Sequence, residues 1–287
     1  MSTTTAGLPA PATTGAHRQA APTVHARLTF PGVLRAEWIK LLSLRSTWWT
    51  LGLTVVLMAL LGIAQAASLT VMTQDPEGAA MVAALHGAEI VAAGYQFGMI
   101  TIAVLGALLI TGEYSTGMIR STLAAVPTRL PVLAAKAIAL TLLTVAVGAV
   151  GLAASFLATT PWTSDHDLVP ALDDPQTWQV FAGTIFFLVA AALFALGIGT
   201  LLRSTAGAVT LSLVVLLLLP GILQFITVDW VQDTISYLPL PAATAFTSVS
   251  DAFGMVDLAP RTGVAVVTAW ALIPMTAATL TLHRRDA

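Results

Sequence analysis

The chain contains no cysteine, which excludes disulfides and Cys-ligated metal or iron–sulfur centres. Charge is scarce as well: Asp, Glu, Lys and Arg make up 9% of the residues, against about 25% in an average soluble domain. A soluble fold of this size would need a charged surface that the composition cannot supply. No Gly-rich loop ending in Lys-Ser or Lys-Thr is present, so the chain does not bind nucleotide through that motif. His-Glu-x-x-His is absent, and His17, His25, His86, His166 and His283 all fall outside the long apolar stretches. That argues against a buried catalytic or metal-bound histidine. The centres of those stretches also hold no Asp, Glu, Lys, Arg or His, whereas ion-coupled transporters carry ionisable groups at membrane depth. Any energy used therefore comes from outside the chain. A membrane-embedded enzyme would need polar groups converging at one depth, and none is offered.

What is abundant is apolar sequence: 57% of residues are hydrophobic. Long apolar stretches run at 48–71, 90–111, 137–159, 178–202, 206–228 and 262–282. Each reaches the roughly 20 residues a helix needs to cross about 30 Å of hydrocarbon. This predicts an all-α membrane protein with six spans.

The net charge of −2 says nothing of partners, but its sidedness does. Arg18, Arg27, Arg35, Lys40 and Arg45 precede the first stretch; Arg120, Arg129 and Lys136 lie between the second and third, Arg203 between the fourth and fifth, and Arg284 and Arg285 after the sixth. Only Arg261 is on the other side. Lys and Arg in short loops are retained in the cytoplasm, so both termini are expected there. Residues 1–27, rich in Ala, Thr and Pro, lack the apolar core of a signal peptide and read as a disordered cytoplasmic tail, with a six-span domain over 28–287.

From Pro31 to Arg45 the sequence becomes PGVLRAEWIKLLSLR. At helical spacing Leu34, Trp38, Leu41 and Leu42 share a face, with Ala36, Lys40 and Ser43 opposite. This predicts a short amphipathic helix lying in the interface, the alternative being an extension of the first span. Trp48 and Trp49 mark the headgroup level. Of the loops on the other side, 72–89 reads as short and polar, and 160–177, with Pro161, Pro170 and Pro175, as irregular. The last, 229–261, contains YLPLPAATAF at 237–246, too short to cross and read as a re-entrant or interfacial pair of short helices; a surface loop is the alternative. Small-residue ridges, Gly151-Ser155-Thr159 and Ala191-Ala195-Gly199, allow close helix approach. Pro220 with Gly221, and Pro274, interrupt the fifth and sixth stretches.

The densest basic-side feature is TGEYSTGMIRSTLAAVPTRLPVLAAK, residues 111–136. Met118, Ile119, Thr122 and Leu123 can form an apolar ridge on a short helix beside Arg120, ended by Pro127. Such a helix suits docking into another protein's groove; a basic anchoring loop is the alternative.

This segment resembles the loop in bacterial permease subunits of the type 2 ABC transporter family, where a Gly-Glu-aromatic turn precedes a short helix and a basic stretch ends in Ala-Lys. Ala36-Glu37-Trp38-x-Lys40 with Arg45-Ser46, and Leu238-Pro239, are similar to that family too. The resemblance covers roughly 30–287. It implies a permease that pairs with a second permease subunit, as homodimer or heterodimer, on separate ABC ATP-binding subunits in a bacterial plasma membrane. ATP and Mg would be held by the partner and no cofactor by this chain, with no nucleic acid involved. The segment bearing Leu34, Trp38, Leu41 and Leu42 corresponds to the family's elbow helix. Glu113, Tyr114, Gly117, Met118, Ile119, Arg120, Thr122, Leu123 and Arg129 correspond to the ATPase-coupling region. Glu113 is expected to hold the junction, with Arg120 or Arg129 as partners, or else to be a carboxylate in water. The second and fifth spans line the dimer cavity in this family, which nominates Tyr95, Gln96, Thr101, Gln224 and Phe225 for a substrate path; each is as well suited to interhelical packing. Export of an amphipathic cargo is the expected activity. A scaffold or sensor, or a self-contained channel or secondary transporter, remains open.

Overall fold

The computed structural model describes residues 29–118, 129–250 and 258–284. Among these there is no strand, and six helical segments are long and apolar enough to cross a membrane: Arg45–Met72, Gly87–Ser115, Leu130–Ser164, Pro175–Leu202, Thr205–Leu223 and Pro260–Leu282. A separate helix, Phe30–Ser43, precedes the first span and is broken from it by the extended backbone of Leu44.

The second and fourth spans form the centre, packed along most of their length. The first span lies on the third, the sixth on the fourth, and the N-terminal helix on the third. Small residues make these contacts possible. The Gly151-Ser155-Thr159 ridge faces the first span at Met58 and Gly62, and Gly199 faces Ala107 and Ile110 of the second. A Cβ at Gly106 would run into the Ala192 carbonyl, so the two central helices touch backbone to backbone there. The second span is itself interrupted: Gly87–Ala92 and Tyr95–Ser115 are joined by a turn whose Gly94 lies against the Met58 backbone, where any side chain would collide.

Several boundaries differ from the sequence reading, each for a local reason. The fifth span ends at Leu223 rather than 228. Pro220 has no N–H to give to the carbonyl four residues back, and just before it Val214–Leu218 widens into a π-turn, with the Leu219 N–H donating to the Val214 carbonyl. Pro161, read as part of an irregular loop, lies inside the third-span helix, which continues to Ser164. The 72–89 loop, read as short and polar, contains a helix, Pro76–Ala84, started by Pro76 at its first position and by Asp75, whose carboxylate accepts the Gly78 N–H at 2.8 Å. Asp174 caps the fourth span in the same way, accepting from Gln176 and Thr177. Between the fifth and sixth spans stand two short helices, Asp229–Ile235 and Pro239–Thr247.

Candidate functional site

The end of the molecule that carries the basic residues has four charges drawn inward. Glu37 and Lys40 come from adjacent turns of the N-terminal helix, Glu113 from the last turns of the second span and Lys136 from the beginning of the third. Lys136 Nζ donates to Glu37 Oε2 at 2.5 Å and to Glu113 Oε1 at 2.7 Å. Lys40 Nζ donates to the other Glu37 oxygen at 2.9 Å and to the same Glu113 oxygen at 2.7 Å. Lys136 is fully buried, Glu37 is 2% exposed and Glu113 6%. Two carboxylates and two ammoniums sum to zero. Burying each ion costs several kcal/mol, and here each is offset by two opposite partners. Lys40, the most exposed of the four, feels burial pushing its ammonium toward neutrality, but the hydrogen bonds and charges of Glu113 and Glu37 outweigh it and raise the pKa above lysine's usual 10.5.

The apolar frame beneath the cluster holds it in position. Leu41 is buried with Leu51, Ile102, Leu105, Leu109, Leu133 and Leu140, and Leu34, Trp38, Leu42 and Tyr114 pack against that group. The next turn of the second span reaches the connection between spans four and five. Arg203 lies over the Tyr114 ring at 5.2 Å, in the left-handed conformation that ends the fourth span (φ 54°). Thr205 Oγ1 donates to Thr111 Oγ1 at 2.9 Å. Gly117 then stops the second span with φ 72°, a helix-ending position that favours glycine. One span end thus gathers the N-terminal helix, the third span and the 203–205 turn.

Lys40, read as lying opposite the apolar face, instead reaches inward to Glu113. Glu37 figured only in the family-like motif Ala36-Glu37-Trp38-x-Lys40, with no role assigned to it. The signal available was two carboxylates and two lysines near the ends of neighbouring helices, with complementary sign. Met118 is half-exposed. Ile119, Arg120, Thr122 and Leu123 lie outside the described residues, as does the side chain of Arg129. Glu113 Oε2 is buried and bonded to none of the described residues.

At the acidic end a cleft of about 530 Å³ opens between the second span, the end of the fifth and the two short helices. Gln96 and Gln224 both line it, joined by Gln232, Ser236 and Thr244, which sequence reading passed over. Tyr95 packs behind, its ring edge-on to Phe187 at 5.6 Å and its hydroxyl 3.4 Å from Thr247. With Gln96 it lines a neighbouring cavity of about 390 Å³. Thr101 is buried between the first two spans, bonded to Thr54 at 2.7 Å. Phe225, 88% exposed, lies off both cavities. Above the cleft, the Glu89 carboxylate accepts the N–H groups of Val249 and Ser250 and the hydroxyls of Ser248 and Ser250, tying the start of the second span to the end of Pro239–Thr247.

A family model described as an ABC-2 family transporter protein matches residues 33–287, from the N-terminal helix through the sixth span. No curated protein matches the chain.

Proposed function

The chain belongs to the ABC-2 transporter family, and from that premise we propose that it is the permease subunit of an ATP-driven exporter, working as a dimer on separate ATPase subunits. It is a multi-pass membrane protein with six helices able to cross. The basic end faces the cytoplasm of a bacterial plasma membrane, because Lys and Arg are retained there.

The observation that carries the reading is the Glu37–Lys40–Glu113–Lys136 cluster. Glu113 and Lys136 stand on either side of the 114–135 segment, which contains the expected ATPase-docking stretch near 115–125. Both ends of that segment are held to one another and to the N-terminal helix by the same ion set. A push on the segment therefore moves the second and third spans and the elbow helix as one body, and is not lost in a loose loop. The second span is continuous in its packing with the fourth, so the displacement reaches the far end, where Gln96 borders the cleft. Closure of the ATPase pair would re-aim the spans, opening and closing that cleft. Its lining of uncharged amides, hydroxyls and aliphatic groups suits an amphipathic cargo better than a small ion.

The test is affinity purification of the chain from membranes in mild detergent. The expected result is a stoichiometric ATP-binding protein that is lost when residues 115–125 are scrambled. A preparation free of ATPase, under conditions that preserve another ABC complex, would overturn the reading. Cargo-dependent efflux from vesicles, absent in a scaffold or sensor, decides transport.

A further inference from the structure

A second concavity at the acidic end has the opposite character to the polar cleft. It measures about 490 Å³ and is an open groove between the fourth and sixth spans, on the other face of the helix Pro239–Thr247. Leu240, Pro241 and Thr244 of that helix border the polar cleft, while Phe246 floors the groove. The walls are almost wholly carbon: Ala182, Gly183 and Phe186 from the fourth span, and Pro260 and Val264 from the sixth. Phe186 stands edge-on to Phe246 at 5.6 Å. From Gln179 to Phe186 the groove runs two helical turns, roughly 10 Å at 1.5 Å per residue.

Its depth can be read from its neighbours. Trp178, exposed and with its indole N–H bonded to the Leu172 carbonyl, stands at the start of the fourth span, the level at which amphipathic aromatic rings meet lipid headgroups. Arg261, in the first turn of the sixth span, is at the mouth. It is the one Lys or Arg that the charge distribution assigns to this end. It is exposed and forms no ion pair with any described residue. A guanidinium with no ion-pair partner among the described residues, at headgroup level above an apolar slot, matches one chemistry: a phosphate or other anionic head, with an acyl chain below it.

The geometry points to a binding site for one anionic phospholipid, its head on Arg261 and one chain between the fourth and sixth spans. A soluble ligand is disfavoured by the almost wholly carbon walls, and a zwitterionic lipid gains less at the Arg261 guanidinium. The site does not rest on the transport reading.

The experiment is native mass spectrometry of the full chain in detergent, titrated with phosphatidylglycerol or phosphatidylcholine. The wild type should retain one phosphatidylglycerol with about fivefold preference, the contribution of roughly one membrane-surface cation. Arg261→Gln should abolish the preference and Arg261→Lys restore most of it. Ala182→Phe, which fills the groove from an exposed position, should abolish retention of both lipids. Equal retention by the wild type, an undiminished preference in Arg261→Gln, or unchanged retention in Ala182→Phe would each overturn the site. Circular dichroism of the variants, whose altered side chains are exposed, separates these outcomes from misfolding.

Discussion

The two ends of this molecule use charge in opposite ways. At the basic end, side chains from three helices bond to one another out of water, each ion held by two of opposite sign. At the acidic end, carboxylates bond chiefly to backbone: Asp75 and Asp174 cap helix starts, and Glu89 gathers two N–H groups and two hydroxyls. A side-chain pair between helices fixes their mutual position, whereas the Asp75 cap fixes only the helix it begins; across the acidic end Glu89 and the 2.9 Å His86–Asp174 contact are what tie separate elements. The basic end is thus joined by charge pairs among three helices, and the acidic end by caps and a few polar ties around a cleft.

The sharpest way to break this contrast is at Lys136. Lys136→Met leaves Glu37 and Glu113 buried with only Lys40 between them and should cost about 3–5 kcal/mol, the usual effect of breaking a buried ion set; thermal unfolding in detergent would measure it. Glu113→Gln combined with Lys136→Met should lose less than the sum of the single changes, a coupling of roughly 0.5–3 kcal/mol, while also abolishing ATPase stimulation. Additive losses would mean that the cluster does not act as a unit. At the other end Glu89→Gln should cost about 1.5–3 kcal/mol, the range for hydrogen bonds to a charged group, with faster hydrogen exchange confined to 248–250. Asp75→Ala should cost about 1 kcal/mol and fray only Pro76–Ala84.

The smallest effect is in pH, and it runs oppositely at the two ends. Asp174 is held below the usual carboxylate value of 3.8, first by the Gln176 N–H and also by His86 and Thr177. Its contribution is present above 3.8 and is lost as pH falls through the lower folded value. Lys40, raised above 10.5, contributes fully below that value and loses its contribution as pH climbs through the folded one. With the intrinsic exchange rate divided out, protection at the fourth-span start should therefore fall in strong acid, and at the N-terminal helix in strong alkali.

The spans were legible because twenty apolar residues admit few other fates. Of the pair of short helices read into 237–246, one stands there, Pro239–Thr247, while the other, Asp229–Ile235, lies before the apolar run that prompted the reading. The end of the fifth span was missed because hydropathy continues through Ile226 while Pro220 has already spoiled the hydrogen-bond ladder. Pro161 misled in the other direction: the helix runs on to Ser164 although the proline has no N–H to give to the carbonyl four residues back. The cluster was half legible. Glu113 drew attention, but its partners lie 73 and 23 residues away and the helical wheel assigned Lys40 to water. A wheel ranks faces by hydropathy and cannot know that a buried anion waits on the apolar side.

That cluster also bears on the order in which the protein is made. Synthesis runs from the N-terminus, so Glu37, Lys40 and Glu113 all exist before Lys136 leaves the ribosome. The one fully buried ammonium arrives last, to two carboxylates already waiting. Only once it is made can one ion set join the N-terminal helix to the second and third spans. All four members of the cluster lie in the first half of the chain, so its contacts need nothing from the second half.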